Sequence, residues 1–145
     1  VLLNVKRQLE KSVKNELGAA IRELENQKAI LREIQLEIAS QENEYRRDGV
    51  KKIRLSKLKQ RLEYIRAMYG KEDLQQQRVN EEIENVDKIR VRLVEIMKEK
   101  KLLEKLREKE LFKFKKEQDR IERVHVDEMT GYAKYANGEK ENIMS

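Results

Sequence analysis

Residues 17–45, LGAAIRELENQKAILREIQLEIASQENEY, decide the fold because their apolar residues recur every seven positions. A second series follows the first at a distance of three positions, and two of its four members are glutamines. Two such series are the a and d positions of a heptad, with which one helix packs along a seam against another. Polar residues at d weaken the seam but can fix its register. The first series is Leu17, Leu24, Leu31, Ile38 and Tyr45, and the second is Ala20, Gln27, Ile34 and Gln41.

The composition of the whole chain agrees with long helices. Of its 145 residues, 43% are charged, and it contains no proline and no cysteine. Ordinary soluble domains carry roughly 25% charged residues, and an excess of this kind is typical of coiled coils. The hydrophobic residues can line a seam but can hardly fill a large core, so we expect one elongated domain. No apolar stretch approaches the ~18 residues of a membrane span, and neither a transmembrane helix nor a signal peptide is expected.

A second helix follows the first stretch. Asp48-Gly49 is the best stop signal because glycine reaches left-handed backbone conformations cheaply, and Ser56 is expected near the next N-cap. Gly70 makes a local kink plausible without ending the helix, and Asn137-Gly138 is expected to end it. The predicted seam of this helix consists of Leu58, Ile65, Glu72, Val79, Val86 and Leu93, then Ile89, Ile96 and Leu103, and finally Leu106, Phe114, Ile121, Glu128 and Tyr135.

Two helices joined by a short connection fold back on each other, so the predicted fold is all-α: a long antiparallel two-helix coiled-coil hairpin with an overhanging second helix. We predict helix 1 at about 1–47, the turn at about 48–55, helix 2 at about 56–136 and a frayed tail at 137–145, in a single elongated domain. Pairing from the turn outwards sets residue 3 against roughly residue 100.

Residues after Leu103 would then lack a partner on the first helix, although they are still rich in apolar side chains. Apolar residues without an intrachain partner favour a binding surface. A different protein is the favoured partner, and a second copy of the chain or a longer first helix are the alternatives.

A basic tip, residues 50–59, is expected around the turn. It contains no acidic residue, and between positions 50 and 70 Glu63 alone opposes seven basic residues. Such a tip can remain solvated, or it can meet an acidic protein, a nucleic-acid backbone or an anionic membrane. We expect no nucleic acid, because neither aromatic platforms nor a reading helix is evident. The candidate contact residues are Lys51, Lys52, Arg54, Lys57 and Lys59.

The sequence offers no catalytic or metal-binding constellation. His125 is the only histidine and there is no cysteine, which excludes a zinc site of cysteines and histidines and any Ser-His-Asp arrangement. Tyr69-Gly70-Lys71 lacks the first glycine and the Ser or Thr of a phosphate-binding loop. We therefore predict no enzyme activity and no cofactor.

Two blocks of the second helix resemble the flagellar export protein FliJ family. They are residues 100–109, KKLLEKLREK, and residues 122–128, ERVHVDE. The start, residues 1–7, resembles the family's N-terminal motif with its first residues removed. Asn43-Glu44-Tyr45-Arg46, Gly49 and Tyr64-Ile65 also follow the family layout, so the resemblance covers nearly the whole chain.

The resemblance implies a stalk and escort protein of flagellar type III export, similar to the coiled coil of the F-type ATPase gamma subunit. It implies insertion into and stimulation of a hexameric export ATPase, and links to the cytoplasmic domain of the export-gate membrane protein and to export chaperones. The expected location is the cytoplasm, in peripheral association with the inner membrane at the flagellar base, and the protein is expected to be monomeric alone. A generic coiled-coil scaffold and the stalk protein of a virulence secretion system are the alternatives. The expected ATPase contacts are Glu104, Leu106, Arg107, Phe114, Ile121, Val124, Asp127 and Glu128.

Overall fold

Two long helices account for the fold. The computed structural model describes the backbone of residues 1–144 and the side chains of residues 1–138, where α1 spans Leu2–Val50 and α2 spans Leu55–Met144. No strand occurs among the described residues, which confirms the all-α prediction. The chain divides into two units, Val1–Lys98 and Glu99–Ser145. We call the first the hairpin and the second, a part of α2 alone, the C-terminal segment.

The core of the hairpin is the seam between α1 and α2. Val13 and Val86 are almost completely buried, at 1% and 2% exposure, and the seam continues on both sides of them. Their neighbours follow the seven-residue spacing because only side chains at that period meet the other helix along its whole length. As far as Leu103 the seam is therefore where the sequence pattern predicts it. The last members of the predicted seam are exposed instead, namely Leu106, Phe114, Ile121, Glu128 and Tyr135. The buried hydrophobic residues are Val13, Ala20, Leu24, Leu31 and Ile38 of α1 and Ile65, Met68, Val79, Val86, Ile89 and Ile96 of α2.

Polar contacts across the seam fix the antiparallel register. Gln75 hydrogen-bonds to Gln27 near the middle of the hairpin. Both guanidinium NH groups of Arg92 donate to the carboxylate of Glu16, each at 3.2 Å. Tyr64 and Tyr69 reach from α2 to Glu37 and Glu42 of α1. From the Gln75–Gln27 pair to the Arg92–Glu16 pair, residue numbers rise on α2 and fall on α1, so the two helices run in opposite directions.

The turn differs from its predicted position. Gly49 lies inside α1 without a positive φ, and the residue in the left-handed region is Lys52, with φ 53°. The Ile53 amide donates to the Asp48 carbonyl at 3.3 Å, which is the long bond of a Schellman motif with Lys52 in the position that glycine usually takes. The prediction that Asp48-Gly49 ends the helix is therefore wrong by about three residues.

The start of α2 also differs. The amides of Lys57 and Leu58 both donate to the carbonyl of Arg54, so Arg54 stands immediately before the helix and Ser56 already lies within it. Ser56 is thus not the N-cap. The connection between the two helices contains only residues 51–54. It is shorter than predicted because α1 continues past Gly49 and ends in the Schellman motif at Lys52.

The far end of α2 corrects one further prediction. Gly138 is helical and has no positive φ, so Asn137-Gly138 does not end the helix, which continues to Met144. Gly70 is likewise inside α2, with open space around its Cα. A single glycine costs about 1 kcal/mol in a helix, which is too little to end one with favourable residues on both sides. Of the predicted frayed tail, residue 145 lies outside the described residues.

Candidate interaction surfaces

The C-terminal segment exposes its hydrophobic side chains. Among residues 99–138, where side chains are described, none is buried, although large apolar residues recur along the whole stretch. Residues seven positions apart lie two turns apart on nearly the same side of a helix. Phe114 and Ile121 have this spacing, and Val124 follows three residues later, so all three share one face, which we call the apolar face. The exposed members of the segment are Leu102, Leu106, Leu111, Phe112, Phe114, Ile121, Val124, Val126, Met129, Tyr132 and Tyr135.

Two predicted charged residues border the apolar face and two do not. Arg107 precedes Phe114 by seven residues and Glu128 follows Ile121 by seven, so both continue the same side of the helix. Asp127 lies about 100° around the helix from Glu128. Glu104 is half-buried and already engaged in a polar interaction. The structure thus gathers six of the eight predicted contact residues on one side and places Asp127 and Glu104 beside it.

Sequence analysis missed an ion pair in the same segment. Arg120 donates to the carboxylate of Glu117 through Nε at 3.2 Å and through an NH2 group at 2.7 Å. This hydrogen bonding, together with the charge of the guanidinium, lowers the pKa of Glu117 and raises that of Arg120. The pair is three residues apart on one helix, a spacing that the sequence already contained. Glu117 lies three residues after Phe114 and four before Ile121, so the pair places a carboxylate on the apolar face itself, and the lowered pKa favours its charged form.

The basic tip exposes its cations to solvent, whereas its Ile53 and Leu58 are half-buried. Lys51, Lys52, Arg54, Lys57 and Lys59 are all exposed, and none of these five forms an ion pair within the described part of the chain. The structure therefore brings the predicted contact residues together at the closed end of the hairpin. One basic neighbour has a different role: Arg61 binds Asp48 and Glu44 across the two helices, the latter at 3.3 Å, and it is half-buried.

The described residues contain neither a metal-binding cluster nor a membrane-spanning stretch. No group of three or more His, Asp or Glu side chains there could hold a metal ion. The surface depressions along the C-terminal segment, one of them lined by Lys113, Glu117 and Arg120, lie between side chains of a single helix. Within the same described range, neither helix has a stretch that is apolar enough to cross a bilayer.

Comparison with known proteins gives one family. No curated protein and no solved structure shows significant similarity to the chain. The model of the family described as flagellar FliJ protein matches residues 1–139, which is nearly the whole chain and includes both the hairpin and the apolar face. A match of this extent agrees with the motifs at residues 100–109 and 122–128. The chain therefore belongs to the flagellar FliJ family and is a protein of flagellar export.

Proposed function

We propose that this protein is a stalk of the flagellar export apparatus whose C-terminal segment inserts into the hexameric export ATPase and stimulates it. On the same proposal, it links the ATPase to the cytoplasmic domain of the export gate and to export chaperones, at the inner-membrane side of the flagellar base. It does so by contact alone, without an enzyme activity or a cofactor of its own.

The observation that carries this proposal is the apolar face. Phe114 is 63% exposed and Ile121 is 56% exposed, in a segment of about 40 described residues that buries none of its side chains. Exposed apolar residues repeated along one side of a helix are typical of a surface that another protein covers. Family membership makes the export ATPase the partner of choice, and Arg107 and Glu128, at either end of the face, would orient the contact.

The apolar face can contribute substantially to the free energy of binding. Burial of one large apolar side chain contributes about 1.5–3 kcal/mol. Replacement of both Phe114 and Ile121 by alanine would therefore remove about 3–6 kcal/mol if the partner buries them fully. Folding should change little, since both residues are already exposed to water and the seam of the hairpin lies elsewhere.

The experiment compares this double variant with the unmodified protein for stimulation of a flagellar export ATPase and for co-sedimentation with its ring. A matched control is available in Phe112 and Val126, which are 68% and 58% exposed. Each lies two residues from a member of the apolar face, about 200° around the helix. We expect loss of both activities with Phe114→Ala and Ile121→Ala, and retention with Phe112→Ala and Val126→Ala.

Normal stimulation by the first variant would exclude the apolar face as the ATPase contact. Equal losses from both variants would indicate that the segment acts through general hydrophobicity rather than one face. Helix content, measured by circular dichroism, must remain unchanged in all variants for either result to count.

A second candidate follows from the same observation. The apolar face could join two copies of the chain, which would make the protein a generic coiled-coil tether. A stalk protein whose apolar face binds the ATPase should instead be monomeric when the ATPase is absent. Sedimentation equilibrium distinguishes the two, because only the tether dimerises and loses its dimer with Phe114→Ala and Ile121→Ala.

A further inference from the structure

Two aliphatic side chains at the basic tip are unusually exposed. Val50 is 84% exposed and Leu55 is 81% exposed, and among the described large hydrophobic side chains only the chain-terminal Val1 is more exposed. They are the last residue of α1 and the first residue of α2. The short connection between them therefore holds both at the closed end of the hairpin.

The backbone presents this end as a defined structure. The amide of Lys51 donates to the carbonyl of Arg47 at 3.1 Å, and that of Ile53 to the carbonyl of Asp48 at 3.3 Å. On the other side, the Arg54 carbonyl accepts the first bonds of α2. Because these bonds fix the turn, Val50 and Leu55 are not free to fold back onto the seam.

The exposed charges around Val50 and Leu55 are positive. The tip contributes five exposed cations, and the exposed Arg46 and Arg47 add two more. Asp48 is the one acidic residue from 46 to 59, and Arg61 already pairs with it. A partner that approaches the end of the hairpin therefore meets positive charge and two apolar side chains together.

From this combination we infer that the basic tip binds an anionic phospholipid bilayer. The cations would meet lipid phosphates, while Val50 and Leu55 enter the boundary between headgroups and acyl chains. Binding at a membrane surface scales with the buried apolar area and with the electrostatic attraction to anionic lipids, so the two features reinforce each other. A nucleic-acid backbone would attract the cations but would leave the two aliphatic side chains in water. An acidic protein would need an apolar pocket that matches both residues, whereas the headgroup boundary of a bilayer accepts them without such a match.

This inference rests on the hairpin alone and does not depend on the contact between the C-terminal segment and the ATPase. The two can fail separately. Residues 50–59 contain none of the apolar-face residues. Variants of the tip should therefore still stimulate the ATPase, and this assay checks that they are folded and functional.

The first test measures flotation of the full-length protein with vesicles of phosphatidylcholine, with or without phosphatidylglycerol. We expect binding only when phosphatidylglycerol is present, and weaker binding as salt rises. Each cation near an anionic membrane contributes about a fivefold gain in affinity, so Lys51→Gln, Arg54→Gln and Lys57→Gln together should weaken binding on the order of a hundredfold. A control with Lys11→Gln, Arg78→Gln and Lys88→Gln removes the same charge from exposed positions elsewhere on the hairpin.

The second test asks whether the aliphatic residues enter the bilayer. The chain has no tryptophan, so Leu55→Trp supplies a single fluorophore whose emission should shift to shorter wavelength on anionic vesicles. Leu36→Trp, at a position 71% exposed on α1, should show no shift. Val50→Ser with Leu55→Ser should weaken vesicle binding while leaving helix content unchanged.

Several results would overturn the inference. Absence of binding to anionic vesicles would do so directly. Equal weakening by the tip and control charge variants would also do so, as would binding without an emission shift of the Leu55→Trp variant. Either result would mean that the tip attracts polyanions in general, such as a DNA duplex or an acidic protein.

Discussion

Gln75 of α2 donates from its side-chain nitrogen to both oxygens of Gln27 of α1, the backbone carbonyl at 2.9 Å and the side-chain carbonyl at 2.7 Å. Gln75 is only 3% exposed. Gln27 in turn donates to Glu23 at 2.8 Å, so the buried amide belongs to a satisfied chain of hydrogen bonds. A buried polar pair of this kind costs stability in any register that separates its members, and it therefore specifies which residues of the two helices face each other.

Replacement of Gln75 by alanine should lower the free energy of unfolding by about 1–3 kcal/mol, because it removes a buried hydrogen-bonded side chain and leaves its partner less satisfied. Gln76 is a matched control, since it is exposed and hydrogen-bonds only to Asn80 of its own helix. Gln76→Ala should change stability by no more than about 0.5 kcal/mol. Urea unfolding of both variants measures the difference, and equal values would contradict a role for Gln75 in the seam.

The seam and the C-terminal segment should differ in how much stability the same substitution costs. Ile89→Ala removes a side chain that is 4% exposed in the core and should cost about 2–5 kcal/mol of unfolding free energy. Ile121→Ala removes one that is 56% exposed and should change it by no more than about 0.5 kcal/mol. Thermal unfolding followed by circular dichroism separates the two. A large loss from Ile121→Ala would mean that the segment has a folding partner within the chain.

The heptad of residues 17–45 predicted the seam because its period alone determines which side of a helix is buried. The spacing also allows Gln75 in the seam, three residues after Glu72. Residue type gives no support for this choice, because Gln75 stands in a run of three glutamines, Gln75-Gln76-Gln77. The pairing of Gln75 with Gln27 could not be predicted in this way. It depends on the exact length of the turn.

The turn itself was the least predictable element. Gly49 and Gly138 were expected to end helices because glycine favours left-handed conformations, yet both are helical, and Lys52 adopts that conformation instead. Propensity is a weak signal when backbone hydrogen bonds and packing on both sides continue the helix. The contact residues of the basic tip could nevertheless be chosen from the sequence, because charge at a chain reversal is exposed whichever residue makes the turn.

Tyr69 gives the hairpin a response to alkaline pH. Its hydroxyl donates to the carboxylate of Glu42, and this hydrogen bond, followed by desolvation and then by the charges of Glu42 and Glu72, raises the pKa of Tyr69. Because the folded-state pKa is above the unfolded value, the stabilisation is complete below about pH 10 and is lost as pH rises through the raised pKa. We expect Tyr69→Phe to unfold with a shallower dependence on pH above 10.

The matched variant Glu42→Gln keeps an acceptor at the same position but removes its charge. It should bring the pKa of Tyr69 down toward the ordinary tyrosine value, as measured by NMR titration of the ring resonances. If the pKa of Tyr69 does not fall in Glu42→Gln, the charge of the Glu42 carboxylate is not the cause of the raised pKa.

Arg61 should couple the end of α1 to the start of α2. It binds both Asp48 and Glu44, and its side chain is 27% exposed where Asp48 is 23% exposed, so water screens this contact only in part. Arg61→Ala should lower the free energy of unfolding by about 1–2 kcal/mol. A double-mutant cycle with Asp48→Ala isolates the pair, and the two losses should add to more than the loss in the double variant. Strict additivity would show that the pair contributes no coupling.

Lys52 offers a way to stabilise the turn. With φ at 53° its Cβ is crowded against its own backbone, at a position of the Schellman motif where glycine carries no such penalty. Lys52→Gly should therefore raise the free energy of unfolding by about 0.5–1 kcal/mol, the relief of strain exceeding the greater freedom of glycine in the unfolded chain. Lys52→Ala is the control, since it removes the same charge but keeps the Cβ, and it should bring no comparable gain. Chemical unfolding of both variants at one ionic strength makes the comparison, and an equal gain from alanine would assign the effect to repulsion among the tip cations instead of to the backbone.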